Sequence, residues 1–383
     1  MSNWFDTAEL ETRRNNLQAR LAKENLDGML IFRQESMYYL TGYETFGFCF
    51  FQCLYFGANG DRFLLTRSAD LRQAQITSDL EEVYIWVDGV QGGPAPQLRD
   101  LLESRGVRGS RLGVEFESYG LTARRGRELE ASLLGFCELV DCSELIDSLR
   151  MVKSEAELAL VRKAGQLADD ALDAAIERIA PGADEGHILA DMQGAVFRGG
   201  GDYPGNEFII GSGEKALLCR YASGRRKLEA NDQLTLEYAG VYAHYHVAMM
   251  RTALVGQVHS EHQRMFDAAL EAMQACQETL APGATAHDVF HAHARVLDKA
   301  GLRDHRLNAC GYSLGARFTP SWMDYPMFHD GNEQEIVPNM VMFLHMILMN
   351  SESGRAMTLG ETVIVGQQGN ERLSRHQLSL IAQ

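Results

Sequence analysis

Apolar and polar positions alternate along Leu234–Thr252, which reads Leu-Thr-Leu-Glu-Tyr-Ala-Gly-Val-Tyr-Ala-His-Tyr-His-Val-Ala-Met-Met-Arg-Thr. A two-residue period predicts a β-hairpin: one strand runs up to a turn at Gly240 and a second leads back out. Residues two apart share a strand face, so His244, His246, Ala248 and Met250 are expected to point one way. Elsewhere the period lengthens to that of helices. Leu10, Leu17 and Leu21 mark one, and residues 96–105 and 122–133 two more. Short strands at 28–32, 62–65, 83–87 and 111–114 alternate with them, and a turn-rich aromatic segment spans 38–43. Residues 1–150 therefore read as an α/β domain.

A boundary falls near 148–154. Ser154 with Glu157 three residues later forms a capping-box pattern that opens a helix running to about Ile179. That helix stops at Ala180-Pro-Gly-Ala183, and a second helix starting at Ser260-Glu261 stops at Ala281-Pro-Gly-Ala284. In each half another helix follows, ending near Gly199 or Gly301, and strand-like runs come next (207–210 and the hairpin; 312–318 and 341–349). Helix, break, helix, sheet, repeated about a hundred residues apart, predicts a duplicated α+β domain over 151–383. Its site is expected where strands of the two halves meet.

Composition narrows the partners. A formal net charge of -16 on 383 residues argues against nucleic acid or an anionic membrane. No apolar run approaches the roughly 20 residues that span a bilayer. The start lacks a basic segment followed by an apolar core, so a cytoplasmic protein is expected. The seven cysteines are scattered without Cys-x-x-Cys and read as reduced thiols. His287 and His291 lie four apart on a predicted helix, as zinc ligands can, but no third ligand follows them in the metalloprotease pattern. Gly199–Gly201 reads as a helix C-cap, and neither a Walker sequence nor Gly-x-Ser-x-Gly occurs.

Motifs along the whole chain carry a resemblance. They are Tyr39-Leu-Thr-Gly-Tyr43, Met151-Val-Lys-Ser-Glu155, Ile210-Gly-Ser-Gly213, the hairpin, Gly311-Tyr-Ser-Leu-Gly315 and Leu359-Gly-Glu361. Together they resemble the creatinase/aminopeptidase P/prolidase superfamily. The resemblance implies an N-terminal creatinase-like domain followed by a duplicated pita-bread catalytic domain. Metallopeptidases of that family hold two cations with two aspartates, a histidine and two glutamates. Carried over, these fall on Glu237, Ala248, Tyr312, His345 and Glu361. Two cations need several hard oxygen donors, so this set implies no resident metal and no other cofactor. The chain looks closer to the metal-free branch of creatinase and the ectoine hydrolases. It departs from creatinase by Arg220 after the Gly-Ser-Gly segment and by Met250 before the hairpin arginine.

Hydrolysing an amide or amidine C–N bond without metal requires a base for water, a stabiliser for the tetrahedral intermediate and a proton for the leaving nitrogen. The resemblance makes His345 with Glu361 the first candidate for the proton steps and His246 a competing base. Glu237 is expected to orient a histidine, pair with a substrate cation or bridge to Arg251. Tyr312 would donate to an oxyanion, and Arg220 would clamp a carboxylate. His244, Tyr245, Arg251, Trp322 and Asp324 complete the expected substrate-binding set. The expected substrate is a small nitrogenous metabolite. Aromatics near Tyr43, Phe46 and Phe48 read as core, although in the resembled family this region covers a neighbour's site and implies a homodimer. The rivals are a divergent Xaa-Pro metallopeptidase and a non-catalytic binding protein.

Overall fold

The computed structural model describes residues 4–89, 93–221 and 224–383, which divide into two compact units, Met1–Arg150 and Met151–Gln383. In the first unit the elements run α1 (Thr7–Lys23), β1 (Gly28–Ile31), α2 (Gln34–Thr41), β2 (Cys53–Gly57), β3 (Arg62–Arg67) and α3 (Leu71–Thr77). They continue with β4 (Val83–Trp86), α4 (Pro94–Ser104), β5 (Arg111–Val114), α5 (Ala123–Leu133), β6 (Glu138–Asp141) and α6 (Leu145–Arg150). The strands form one mixed sheet in the order β4-β3-β2-β1-β5-β6, with one apolar cluster around Leu30, Phe63 and Leu129 and another around Leu17, Met29 and Leu40. The segment read as a turn at 38–43 is instead the buried end of α2, which stops at Gly42 (φ 77°). Burial of every α2 residue overrides the weak helix propensity of its tyrosines and threonine. Tyr43 is buried as expected, but Phe46 is 86% exposed and is not core.

The second unit opens with α7 (Glu155–Arg178), whose first turn is closed by the Ser154–Glu157 capping box. Then come α8 (Glu185–Arg198), β7 (Ile209–Ser212), β8 (Asp232–Tyr242), β9 (Tyr245–Val255), α9 (Ser260–Thr279) and α10 (Ala286–Lys299). Strands β10 (Ala309–Ser313), β11 (Asp324–His329), β12 (Val341–Asn350), β13 (Arg355–Ile364), β14 (Glu371–Arg372) and β15 (Ile381–Ala382) complete it. One sheet runs β11-β10-β12-β13-β9-β8-β7, with β14 on β13 and β15 on β9. Helix α7 packs on β8 and β9, and α9 packs on β12 and β13.

The duplication extends to single hydrogen bonds. After α7 the Gly182 amide donates to Leu228 O and Leu228 N returns a bond to Ala183 O, at 2.7 and 2.8 Å. After α9 the Gly283 amide donates to Ile336 O and Ile336 N to Ala284 O, at 3.1 and 2.8 Å. Both glycines sit at positive φ, 83° and 89°, which the Pro-Gly break supplies without strain.

The hairpin turn lies beyond its expected place. Gly240 is inside β8, where an added Cβ would stand 2.0 Å from Ala164 O of α7. The turn is Ala243-His244, both at positive φ (49° and 64°). Gly240 serves close helix–strand approach, a demand that periodicity alone does not distinguish from a turn.

Candidate active site

Register fixes which side chains share a face, because residues directly opposite in an antiparallel pair project to the same side. Glu237 pairs with Met250, Met250 with Gly360, and Gly360 with His345. One row therefore crosses β8, β9, β13 and β12 as Glu237–Met250–Gly360–His345. In the next row on this face Ala239 pairs with Ala248, and Thr362 pairs with Phe343, which pairs with Tyr312. The Thr362 hydroxyl donates to Ala248 O at 2.6 Å and ties the two halves of that row together.

Glu237 is half-buried, and burial pushes its carboxyl up to about 7, with Arg220 the charge that opposes the rise. Exposed Arg220 also acts on the Tyr312 phenol, so guanidinium, carboxyl and phenol share one electrostatic neighbourhood. Tyr312 is 4% exposed, and burial together with the Glu237 charge raises its phenol far above the ordinary range. Trp322 Nε1–H donates to the Tyr312 hydroxyl at 2.9 Å, so the phenol accepts there and keeps its own proton to donate elsewhere. The His345 ring centroid lies 5.7 Å from that of Tyr312; burial lowers the imidazole to about 4, and its Nδ1 has no partner among the described residues. His345 is neutral at pH 7 and weakly basic.

His246 shares the parity of Ala248, and its ring stands 6.4 Å from that of Trp322. Its Nε2 accepts the Gly205 amide at 2.8 Å, and burial lowers it to about 3. It is neutral at pH 7, and its Nε2 lone pair is engaged by the Gly205 amide.

Several expected site residues are placed elsewhere. Glu361 pairs with Leu344, one residue out of step with the His345–Gly360 row, and so faces the other side of the sheet. There it is fully buried and forms ion pairs with Arg251 at 2.7 Å and Arg372 at 2.8 Å. The expected His345–Glu361 pair does not form, and Arg251 lies on the face opposite Glu237, so the expected bridge between them does not form either. Tyr245 donates to Glu157 at 2.7 Å and is buried against α7. His244, in the turn, stacks on Phe318 with centroids 4.3 Å apart. Asp324 lies 3.7 Å from Arg317 and is nearly buried. Trp322 is buried with its indole N–H on the Tyr312 hydroxyl. Met250 lies on this face as strand parity predicts; the residues that sequence reasoning missed, Gly360 and Phe343, carry no chemistry of their own, and only strand register reveals that they line it.

The chain belongs to Metallopeptidase family M24, whose profile matches residues 159–367, with a Creatinase/Prolidase N-terminal domain over residues 13–152. Among its relatives is an uncharacterized hydrolase/peptidase of Sinorhizobium fredii, 28% identical over 97% of this chain and 96% of the other. The ectoine hydrolase of Halomonas elongata is 25% identical over 97% of this chain and 96% of its own. The Xaa-Pro dipeptidase structure from Bacillus anthracis superposes with a TM-score of 0.85 at 18% identity, over 98% of this chain and 100% of the other, and establishes the pita-bread fold.

The family name implies metal, and the donor set of this face does not fit it. A pair of hard cations needs several carboxylates. The face offers Glu237, the neutral His345 and the protonated Tyr312, and the described residues gather no three-ligand group on it. Gly360, in the same row, leaves no room for a side chain on this face. A Cβ there would meet Met250 Cβ at 2.7 Å and the Phe343 ring at 2.7 Å, so apolar side chains have closed the space.

Proposed function

We propose that this M24-family hydrolase cleaves a non-peptide C–N bond, an amide or amidine, in a small nitrogenous metabolite, and does so without metal. The observation that carries the reading is the Glu237–Met250–Gly360–His345 row, whose single carboxyl is desolvated to about 7. Such a group is near half-protonated at neutral pH and both accepts and returns a proton. Glu237 takes a proton from water as the oxygen attacks the amide or amidine carbon. The Tyr312 O–H donates to the negative charge that develops on the atom double-bonded to that carbon. The protonated Glu237 then delivers its proton to the leaving nitrogen as the C–N bond breaks, giving an acid or amide and an amine. Arg220 anchors an anionic group of the substrate, and His345 supplies a neutral imidazole to its polar atoms. The relationship to the Halomonas ectoine hydrolase supports a cyclic amidine or its ring-opened products as the substrate class.

Exposed Phe46 (86%) in the N-terminal unit offers apolar surface that self-association as a homodimer would bury. The deciding experiment assays untagged protein, before and after exhaustive chelation, on a panel of cyclic amidines, lactams, N-acetylated diamino acids and Xaa-Pro dipeptides. Turnover of a non-peptide substrate that survives chelation is the expected result. Xaa-Pro cleavage restored by manganese would replace this reading with that of a rebuilt metallopeptidase.

A further inference from the structure

Away from that face, the fold completes a cluster that the sequence leaves unfinished. His287 and His291 stand one turn apart on α10, with ring centroids 4.2 Å apart. Asp330, from the turn after β11, reaches both: its Oδ1 lies 3.3 Å from His287 Nδ1 and 3.1 Å from His291 Nε2. One ligand atom from each of the three residues falls within 4.8 Å of the other two.

We propose that His287, His291 and Asp330 form a binding site for a divalent transition-metal ion, zinc by preference. Around a tetrahedral zinc with ligand bonds of about 2.0–2.1 Å, ligand atoms are separated by roughly 3.3 Å. The two nitrogen–oxygen separations already match that edge, so chelation needs little movement. The Gly331 amide donates to His287 Nδ1 at 2.9 Å, which marks Nδ1 as the unprotonated nitrogen with a lone pair turned toward the Asp330 turn. A cation there displaces that backbone bond and the His291 Nε2–H bond to Asp330 Oδ1 (3.1 Å), releasing the imidazole proton. The first turns of a helix disfavour positive charge. Here the Asp330 carboxylate and Asp288, which sits in the Thr285 capping box and whose carboxyl is influenced by both histidines, offset that field. All three ligands lie at the surface, with side chains 33%, 58% and 74% exposed, so the fourth position is left to water. The imidazole and carboxylate donors suit zinc, copper or nickel over magnesium or calcium. An ion here would tie α10 to the β11–β12 turn and take no part in the chemistry of the sheet face.

The test titrates untagged, chelator-treated full-length protein with zinc chloride by calorimetry and follows the thermal midpoint in parallel. One zinc per chain with micromolar affinity and a raised midpoint is expected. His291→Ala and Asp330→Asn should each weaken binding at least tenfold, and His287→Ala/His291→Ala should abolish the zinc-dependent rise. A His305→Ala control should leave both readouts unchanged. Absence of saturable zinc binding by the native protein, or undiminished affinity in the double variant, would overturn the proposal.

Discussion

At the scale of single residues, the site depends on what burial does to three protons. Glu237 is held near 7, His345 near 4, and Tyr312 stays protonated throughout the physiological range. The carboxyl is therefore the group whose ionisation falls where an enzyme works, although histidine is the residue that ordinarily titrates there. Glu237→Gln should lower turnover by at least about 10²-fold, the scale of lost general acid–base assistance. The native kcat/KM should rise with pH through an inflection near 7 as the base ionises, and the residual activity of the variant should lack that inflection. Tyr312→Phe removes one donor to developing charge and should cost about 10²-fold in kcat with little change in KM. An unchanged pH profile in the Glu237 variant would move the proton steps to another group.

At the scale of elements, β13 decides between two readings of its glutamate. Register turns Glu361 away from His345 and into a buried pair with Arg251, which also donates to Gly360 O and Met250 O. Glu361→Gln leaves that guanidinium buried without its counter-charge, and breaking such a pair costs about 3–5 kcal/mol. Urea denaturation should show the loss whether or not a substrate is present. Gly360→Ala should also destabilise, by roughly 1–3 kcal/mol of overpacking against Met250 and Phe343. The same strand shows where sequence legibility ended. The helices, the Pro-Gly breaks and the duplicated halves could be read from periodicity and turn chemistry, because local physics writes them into the chain. Glu237 and Tyr312 were reached through the family resemblance, and the strand register puts both on one face. Glu361 could not be placed in that way, since a slip of one residue in carrying a motif over inverts the face, and only cross-strand pairing fixes the register. Gly240 and Phe46 were misplaced for a related reason: close helix packing and surface exposure are tertiary facts that leave no periodic trace.

At the scale of the whole molecule, the two units carry opposite responses to acid. All twelve histidines lie in the second unit, and four are lowered by burial: His246 and His293 to about 3, His262 and His345 to about 4. Their unfolded forms take up protons near 6.5 while the folded forms do not, so the unfolded state binds more protons between about pH 6.5 and 4. The stability these groups contribute is complete above 6.5 and is lost as pH falls through that window. Glu237, raised to about 7, opposes them with a single proton. The first unit contains no histidine, and its buried Glu115 is raised to about 7, mainly by desolvation, despite bonds from the Phe32 and Arg33 amides and the Ser36 hydroxyl. A carboxyl raised in the folded state contributes stability that is complete below about 4.5 and is lost as pH rises through 7. Moving from pH 7.5 to 5 should therefore loosen the second unit while tightening the first. Hydrogen-exchange mass spectrometry at those two pH values, corrected for the intrinsic rate, should show protection falling in α7–α10 and rising around β1 and β5. Loss of protection around β1 and β5 at pH 5 would mean that Glu115 is not held protonated by burial, and unchanged protection in α7–α10 would mean that the histidines of the second unit are reached by water.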